Sequence, residues 1–522
     1  MIALFSLPAL VLTSVFLSAS SSGSSSGSFS GQKWGTEVSD SGVFAHLFEW
    51  PWNDIAQECE NFLGPMGYQA VKVSPPQEHV NRPEWWARYQ VASYKLHSRS
   101  GTPAEFAQMI KRCRAAGVDV YVDAIINHMT GLNGHEATTQ RHGFAGTPFS
   151  LYQYPGLYEP GHFHHNGGIA PDDYYHDLWK VQNASLLGLA SLNHNLEAVQ
   201  NQIASYLSLL ISLGVKGFRL DASGHIEPRL IKDLLNRVKG IDSDVLIWQE
   251  VIDQGSGTVV DAHSYLNGGA ITELKYGLQM HGVFKGESVI NDHFANVDNP
   301  FGKTWAGMLP SEKAIIALTN HDSIRGHGGG GYTIQRSDGE SYNLAVAFMM
   351  TWPYGYPYIY SDYNFGEDTD AGPPTYERDG RNFTLGPYNA SHPLPSNRRW
   401  RLQHRDPRLK PLIKFRKLTS GEKVKHWWQA SGHMAPHHFA FSRGTKGLVV
   451  FNKSPTGEGL AAKIKTGLPP GEYCNSLNSS PSATGFCGHH LNQNNCESIT
   501  VDSNGFAHVE LEAGKVFIAM AQ

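Results

Sequence analysis

The stretch "GFRLDASGHI", residues 217 to 226, closes an apolar run with Arg219 and Asp221. Charge at the end of an interior strand costs desolvation energy unless something pairs it or uses it. A structural ion pair or a reaction would account for it. Asp221 has company, because three other apolar runs also finish in polar groups: "VDVYVDAIINH" at Asn127 and His128, "VLIWQE" at Glu250, and "EKAIIALTNHD" at His321 and Asp322. Three carboxylates converging in a neutral, aromatic-lined cleft cannot all ionise without cost, so their pKa values should spread apart. Glycoside hydrolysis uses that spread, with one carboxylate as nucleophile and a second holding a proton for the departing oxygen. Asp221, beside Arg219, is expected to be the better anion, and Glu250 the better proton carrier. A metal site made of His128 and His321 with an acid is the competing reading. Neither histidine has the i, i+4 partner of a zinc-hydrolase helix.

For these residues to meet, the elements that carry them must present their ends to one place. "TPAEFAQMIKRCRAAG" spells a helix, with Thr102 and Glu105 as a capping box, Pro103 in the first turn and Gly117 as a stop. Further helical runs over 196–214 and 227–240 each precede an apolar strand. Helices alternating with continuously apolar strands indicate a parallel sheet. In a (β/α)8 TIM barrel the C-terminal strand ends face one another around the active site. The fold expected is α/β, such a barrel, with an irregular insert after strand 3 and a C-terminal antiparallel β domain. Residues 129–190, rich in Gly, His, Tyr and Pro without helical period, form the insert. From about residue 425 the runs alternate apolar and polar between turn residues.

The composition is that of an ordinary globular chain of 522 residues, large enough for several domains. A formal net charge of -5 offers no broad positive field, which argues against nucleic acid or an anionic membrane as partner. The apolar run over 2–17, followed by "SASSS", reads as a signal peptide over 1–20, and 21–31 as a Ser/Gly linker. The barrel is then assigned to 32–128 and 191–424, the inserted domain B to 129–190, and a β-sandwich domain C to 425–522. Export would fit the five sequons, at Asn183, Asn382, Asn389, Asn452 and Asn478. It also makes the five cysteines readable as disulfides, with Cys59 pairing Cys113, Cys474 pairing Cys496, and Cys487 left over.

The segments "DAIINH", "GFRLDASGH", "WQEV" and "TNHDSIRGHG" resemble the four signature regions of the α-amylase family, glycoside hydrolase family 13. "GVFAHLFEWPWNDIAQECENFL" and "PEWWARYQVASYKL" are similar to its animal-type secreted members, and the resemblance runs from about residue 33 to the C-terminus. It implies that Asp221 is the nucleophile, Glu250 the general acid and then base, and Asp322 the stabiliser of an oxocarbenium-like transition state, with net retention. It implies sugar contacts by Trp85, Trp86, Tyr89, Gln90, His128, Arg219, His225 and His321, the aromatic rings stacking on glucose. The glycine run in "GHGGGGYTI" would be a mobile loop over the cleft.

The resemblance also implies one calcium, held by Asn127 and by the backbone carbonyls of Gln182 and His225. Ser191 stands where the family's motif normally has an aspartate, so weaker binding or a shifted ligand is expected. Animal-type members bind chloride, and Arg219 and Asn320 match two of its ligands. Tyr358 occupies the third, basic position, so activity without chloride is expected. The function implied is endo-hydrolysis of internal α-1,4 bonds in starch, glycogen and malto-oligosaccharides by a secreted, monomeric enzyme. The alternatives are a maltogenic or transglycosylating relative, or a noncatalytic α-glucan-binding protein.

Overall fold

The structure is a computed structural model that describes residues 33–253, 257–285, 308–327, 333–389, 392, 399–477 and 497–521. The proposed signal peptide and linker, most of the glycine run, Asn478, Cys487 and Cys496 lie outside the described residues.

Eight short strands form the centre: β1 (Phe44–Leu47), β2 (Ala70–Val73), β3 (Asp119–Ile125), β4 (Gly217–Asp221), β5 (Leu246–Gln249), β6 (Ala270–Thr272), β7 (Ala314–Ile316) and β8 (Tyr356–Tyr363). Each pairs in parallel with the next, and β8 pairs in parallel with β1, which closes the barrel. Burial on both faces explains the continuously apolar runs that β3, β4 and β5 show in the sequence. Strands β6 and β7 have three residues each, too few for a periodic signal.

Helix α1 (Trp52–Glu58) continues into a π-helical segment, Cys59–Leu63, and packs against α2 (Pro103–Ala115). The capping box of α2 forms as the sequence predicts: Thr102 accepts from the Glu105 backbone N–H, and the Glu105 carboxylate accepts from that of Thr102. Cys59 and Cys113 are joined by a disulfide across these two helices. Cys474 is also disulfide-bonded, and both remaining cysteines lie outside the described residues.

Between β3 and β4 the chain makes its excursion. His128–Gly131 pairs antiparallel with Leu189–Ser191 at its base, with His128 opposite Ser191. Within it are two-residue strands and helices of four and six residues, Asp173–His176 and Leu178–Asn183.

The C-terminal region is all β. Val424–Gln429, His438–Arg443, Gly447–Asn452 and Lys515–Met520 form an antiparallel sheet, beside two antiparallel ladders of two strands each. Successive side chains on a strand face opposite ways, and here both faces are apolar. Ala440, Leu448, Val450 and Phe517 join a core with the flanking ladders, whereas Phe439, Phe441, Phe451 and Ile518 join the barrel's core. Phe441 meets Trp352 at 4.9 Å between ring centroids. This sheet is therefore fixed to the barrel by aromatic packing.

Because the Cys59–Cys113 bond closes 54 residues of chain, replacing both cysteines with serine should cost about 2–4 kcal/mol of stability. The check is a denaturant or thermal melt beside the parent protein. An unchanged midpoint would mean that α1 and α2 hold together without the bond.

Candidate active site

Residues 219 and 221 on β4 are two apart, so strand alternation points both into the barrel. The parallel register sets Arg219 level with Asp123 of β3 on one side and Trp248 of β5 on the other. All five residues of β4 are buried. From this position the Arg219 guanidinium donates to three carboxylates at once: to Asp123 (Nη1–Oδ1 2.6 Å), to Asp221 (Nη1–Oδ1 2.8 Å) and, through Nη2, to Glu250. Its charge therefore serves Glu250 as well as Asp221, which differs from the sequence-based expectation that it would favour Asp221.

A local backbone feature completes the pairing. Ala222, directly after Asp221, has φ 49°, in the left-handed region that non-glycine residues seldom occupy. That turn aims the Ala222 N–H at Glu250 Oε2, 2.9 Å away. Glu250 is tied to β4 through its backbone as well, its N–H donating to the Leu220 carbonyl and its carbonyl accepting from Gly224.

Asp322 stands opposite on the loop after β7, partly exposed, with an oxygen 3.3 Å from His321 Nε2. The Asn320 side chain shapes that loop by accepting from the backbone N–H groups of Asp322 and Ser323. Arg325 secures it, donating to the His321 carbonyl at 2.8 Å while its guanidinium lies over the rings of Phe48, Trp85 and Phe365.

Burial and the neighbouring Glu250 charge push Asp221 well above the usual carboxylate range and Asp322 up to about 7. Arg219 opposes both shifts. The cluster as a whole thus retains a proton near neutral pH. The histidines around it are neutral, because burial pushes His128 down to about 4 and His321 well below its ordinary value, with Arg219 and Lys72 adding to the shift at His321.

The other residues singled out in the sequence divide between open and committed groups. Tyr89 stacks on His321, with centroids 5.2 Å apart, and its hydroxyl donates to Asp123 Oδ2 at 3.1 Å. Trp86 is half-buried with Arg82 over its ring. Trp85 is only 6% exposed and meets Phe48, Tyr89 and His321 edge-on, so it walls the cleft and leaves the open faces to Trp86 and Tyr89. Gln90 accepts from Gly131 N–H and from Asn133, and donates to Asn133, so its amide holds the base of the excursion. His128 uses one ring nitrogen on the Tyr89 carbonyl and faces the Asn127 amide with the other. His225 places Nδ1 on the Val181 carbonyl, which brings the helix carrying Gln182 beside the turn after β4. These three therefore organise the excursion; His128 has both ring nitrogens occupied, whereas the Gln90 amide nitrogen keeps a second hydrogen beyond the bonds described.

Asn127 Oδ1 is buried without a hydrogen-bond partner, an orphan acceptor of the kind a hard cation would satisfy. Ser191 lies beside it, opposite His128. A cluster of Asp253, Asp261 and His263 has metal-ligand spacing. Lys275 already lies 3.2 Å from the Asp253 carboxylate there.

Sequence reasoning passed over Lys72, Asp123, His46 and Arg325. Asp123 was visible in "DAIINH" and Lys72 as the one charge inside "QAVKVSPP". Arg219, Glu250, Asn320, His321 and Tyr358 line a small cavity behind the acids, together with Lys72, Trp248 and Thr272.

The catalytic-domain model of alpha amylase matches residues 55–382, and the model of its C-terminal all-beta domain matches residues 428–521. The chain is 35% identical over 486 residues to an alpha-amylase of Pecten maximus, covering 90% of each protein. It is 36% identical over 503 residues to pancreatic alpha-amylase 2a5 of Mus musculus, covering 92% and 94%. Among solved structures, a mutant alpha-amylase I of Eisenia fetida in complex with maltohexaose superposes with a TM-score of 0.80 at 30% identity, covering 94% of this chain and 100% of that one. With a closed eight-strand barrel, acids at its strand ends and relatives matched over nine-tenths of its length, the chain belongs to the alpha-amylase family of glycoside hydrolases.

Proposed function

We propose that this protein is a retaining endo-hydrolase of internal α-1,4-glucosidic bonds in starch, glycogen and malto-oligosaccharides. The observation that carries the reading is the single guanidinium that holds both Asp221 and Glu250. One bridging group favours the short carboxyl separation of retaining enzymes, about 5 Å, over the wider gap that admits a water in inverting ones.

In the first step the Asp221 carboxylate attacks the anomeric carbon, while Glu250 gives its proton to the glycosidic oxygen as the C–O bond breaks. In the second, Glu250 takes a proton from water, whose oxygen attacks the same carbon and releases Asp221. Glu250 must carry a proton when the glycosidic oxygen arrives and give it up as the bond breaks. Asp322 faces the charge developing on the sugar ring. Arg219 keeps both reacting carboxyls oriented, and Trp86 and Tyr89 offer flat apolar faces to glucose rings. His225 keeps Nε2 for a sugar hydroxyl, and His321 turns Nε2 to the Asp322 carboxylate that meets the sugar. The maltohexaose bound by the Eisenia fetida relative supports an oligosaccharide in this cleft.

Calcium is proposed at Asn127 Oδ1, with the carbonyls of Gln182 and His225, tying the excursion to the turn after β4. Ser191 contributes no charge there, which favours modest affinity. Export is proposed from the N-terminal apolar run and is supported by the Cys59–Cys113 disulfide, which calls for an oxidising compartment. A monomer is proposed, and Tyr358 beside Arg219 and Asn320 supports activity without chloride.

The deciding assay is reducing-end release from soluble starch, with products sized. Wild type should lose iodine staining early and yield short oligosaccharides in which the anomeric configuration is retained. Glu250→Gln should fall by about 10³-fold or more. A protein that binds starch yet releases no ends would shift the reading to a noncatalytic glucan binder, and mainly maltose or lengthened chains would mark a maltogenic or transglycosylating specificity.

Chelation should lower the melting temperature and added calcium restore it, and Asn127→Ala should remove that response. In halide-free buffer the rate should match that in chloride to within about twofold. A strong rise on chloride titration would overturn the assignment to Tyr358.

A further inference from the structure

Lys72 is a buried cation that the reaction just described does not use. It sits at the third position of β2, between Val71 and Val73, and strand alternation turns it into the barrel, where 4% of it is exposed. Burying an ammonium is costly unless it is paired, and its Nζ lies 2.8 Å from Asp123 Oδ2. Asp123 already has the Arg219 guanidinium on its other oxygen and the Tyr89 hydroxyl on the same one. With Lys72 the Asp123 carboxylate has three donors, two of them cations. Lys72 also borders the small cavity that Glu250, Arg219 and Asn320 share.

We propose that Lys72 is a positioning residue of the hydrolytic centre: it shares the Asp123 charge with Arg219, leaving more of the guanidinium's charge for Asp221 and Glu250, and so helps set the charge balance of the acid cluster. This inference rests on the hydrolase reading above.

The charges form a relay across adjacent strands, from Lys72 on β2 through Asp123 on β3 to Arg219 on β4 and on to Asp221 and Glu250. Facing Lys72 are Asp123, Arg219 and Glu250, together with His46 from β1, His321 after β7 and Tyr358 of β8. His46 and His321 are held neutral by burial and by the cations themselves, and burial pushes Tyr358 above its ordinary value, so neither histidine nor the phenol competes for the role. Burial lowers Lys72 to about 8, with Asp123 opposing the shift. At pH 7 the ammonium is therefore mostly charged. Without it, Asp123 would keep the Tyr89 hydroxyl but draw its cationic partner from Arg219, and Asp221 and Glu250 would lose a neighbouring positive charge. Loss of a nearby cation disfavours ionised carboxyls and raises their pKa values, whereas loss of the Asp123 anion does the reverse.

The test is the pH profile of kcat and of kcat/KM on a soluble malto-oligosaccharide for wild type, Lys72→Met, Asp123→Asn and the double variant, with melts to confirm folding. Lys72→Met should lower kcat about tenfold, change KM less than about twofold and move the profile to higher pH by about half a unit or more. Asp123→Asn should move it to lower pH. The double variant, which removes both charges, should return the profile towards wild type. If Lys72→Met fails to fold, the comparison of Asp123→Asn with the double variant still isolates the lysine charge. One common profile for those two, or a Lys72→Met profile that superposes on wild type, would overturn the proposal. Wild type inactive on starch would instead remove the hydrolase reading itself.

Discussion

The structure around the cleft depends on one guanidinium surrounded by carboxylates. Arg219 reaches Asp123, Asp221 and Glu250 from the middle of β4 because that strand lies between β3 and β5. An acid on either neighbour and one two residues along the same strand are the positions within reach of a single side chain on a parallel sheet. Barrel closure then brings the loop after β7, with His321 and Asp322, round to the opposite side of the same mouth. Strand order, register and side-chain period all enter this one contact set.

The surroundings follow from the need to hold acids and cations together without water. Aromatic rings supply the walls: Phe48 and Tyr89 stack on the two sides of His321, and Trp85 closes its edge. Stacked and buried, that histidine stays neutral and adds no further charge to the centre. Polar groups at the base of the excursion are spent on one another. Gln90, His128 and Asn133 bind across the start of the insert, so the loop region leaves the barrel from a fixed point although it contains little regular structure.

The sequence made one part of this readable and obscured another. Strands buried on both faces announce themselves as apolar runs, which is why β3, β4, β5 and the run through β7 could be recognised, with the acids at their ends. β2 is as buried, but its Lys72 breaks the run, and the charge that disguises the strand is the one that belongs to the site. β8 is obscured differently, because "YPYIYSDY" carries its bulk as tyrosine and could be loop or strand by composition. Helix α2 was legible down to its cap, since Thr102, Pro103 and Glu105 are local signals. The commitments of Gln90 and His128 were not legible, because they depend on partners, Asn133 and the Tyr89 carbonyl, that no local pattern reveals.

A centre of this kind is a poor source of stability. Ion pairs this deeply buried recover little more than their desolvation cost, and apolar replacements of similar volume are often as stable. The chain places its cohesion elsewhere. Phe439, Phe441 and Phe451 on one face of the C-terminal sheet pack against Phe348 of the helix Glu340–Thr351 and Trp352 directly after it. Next to them Arg416, fully buried, donates to backbone carbonyls of Gly42, Met349, Trp352 and Gly355, and Arg443 to those of Thr351, Thr419 and Glu422. These two arginines give their hydrogen bonds to carbonyls and so join segments, whereas Arg219 and Lys72 answer carboxylates at the cleft, where protonation can change. The same buried cation serves as a fastener in one setting and as part of a chemical centre in the other, and the choice of acceptor decides which.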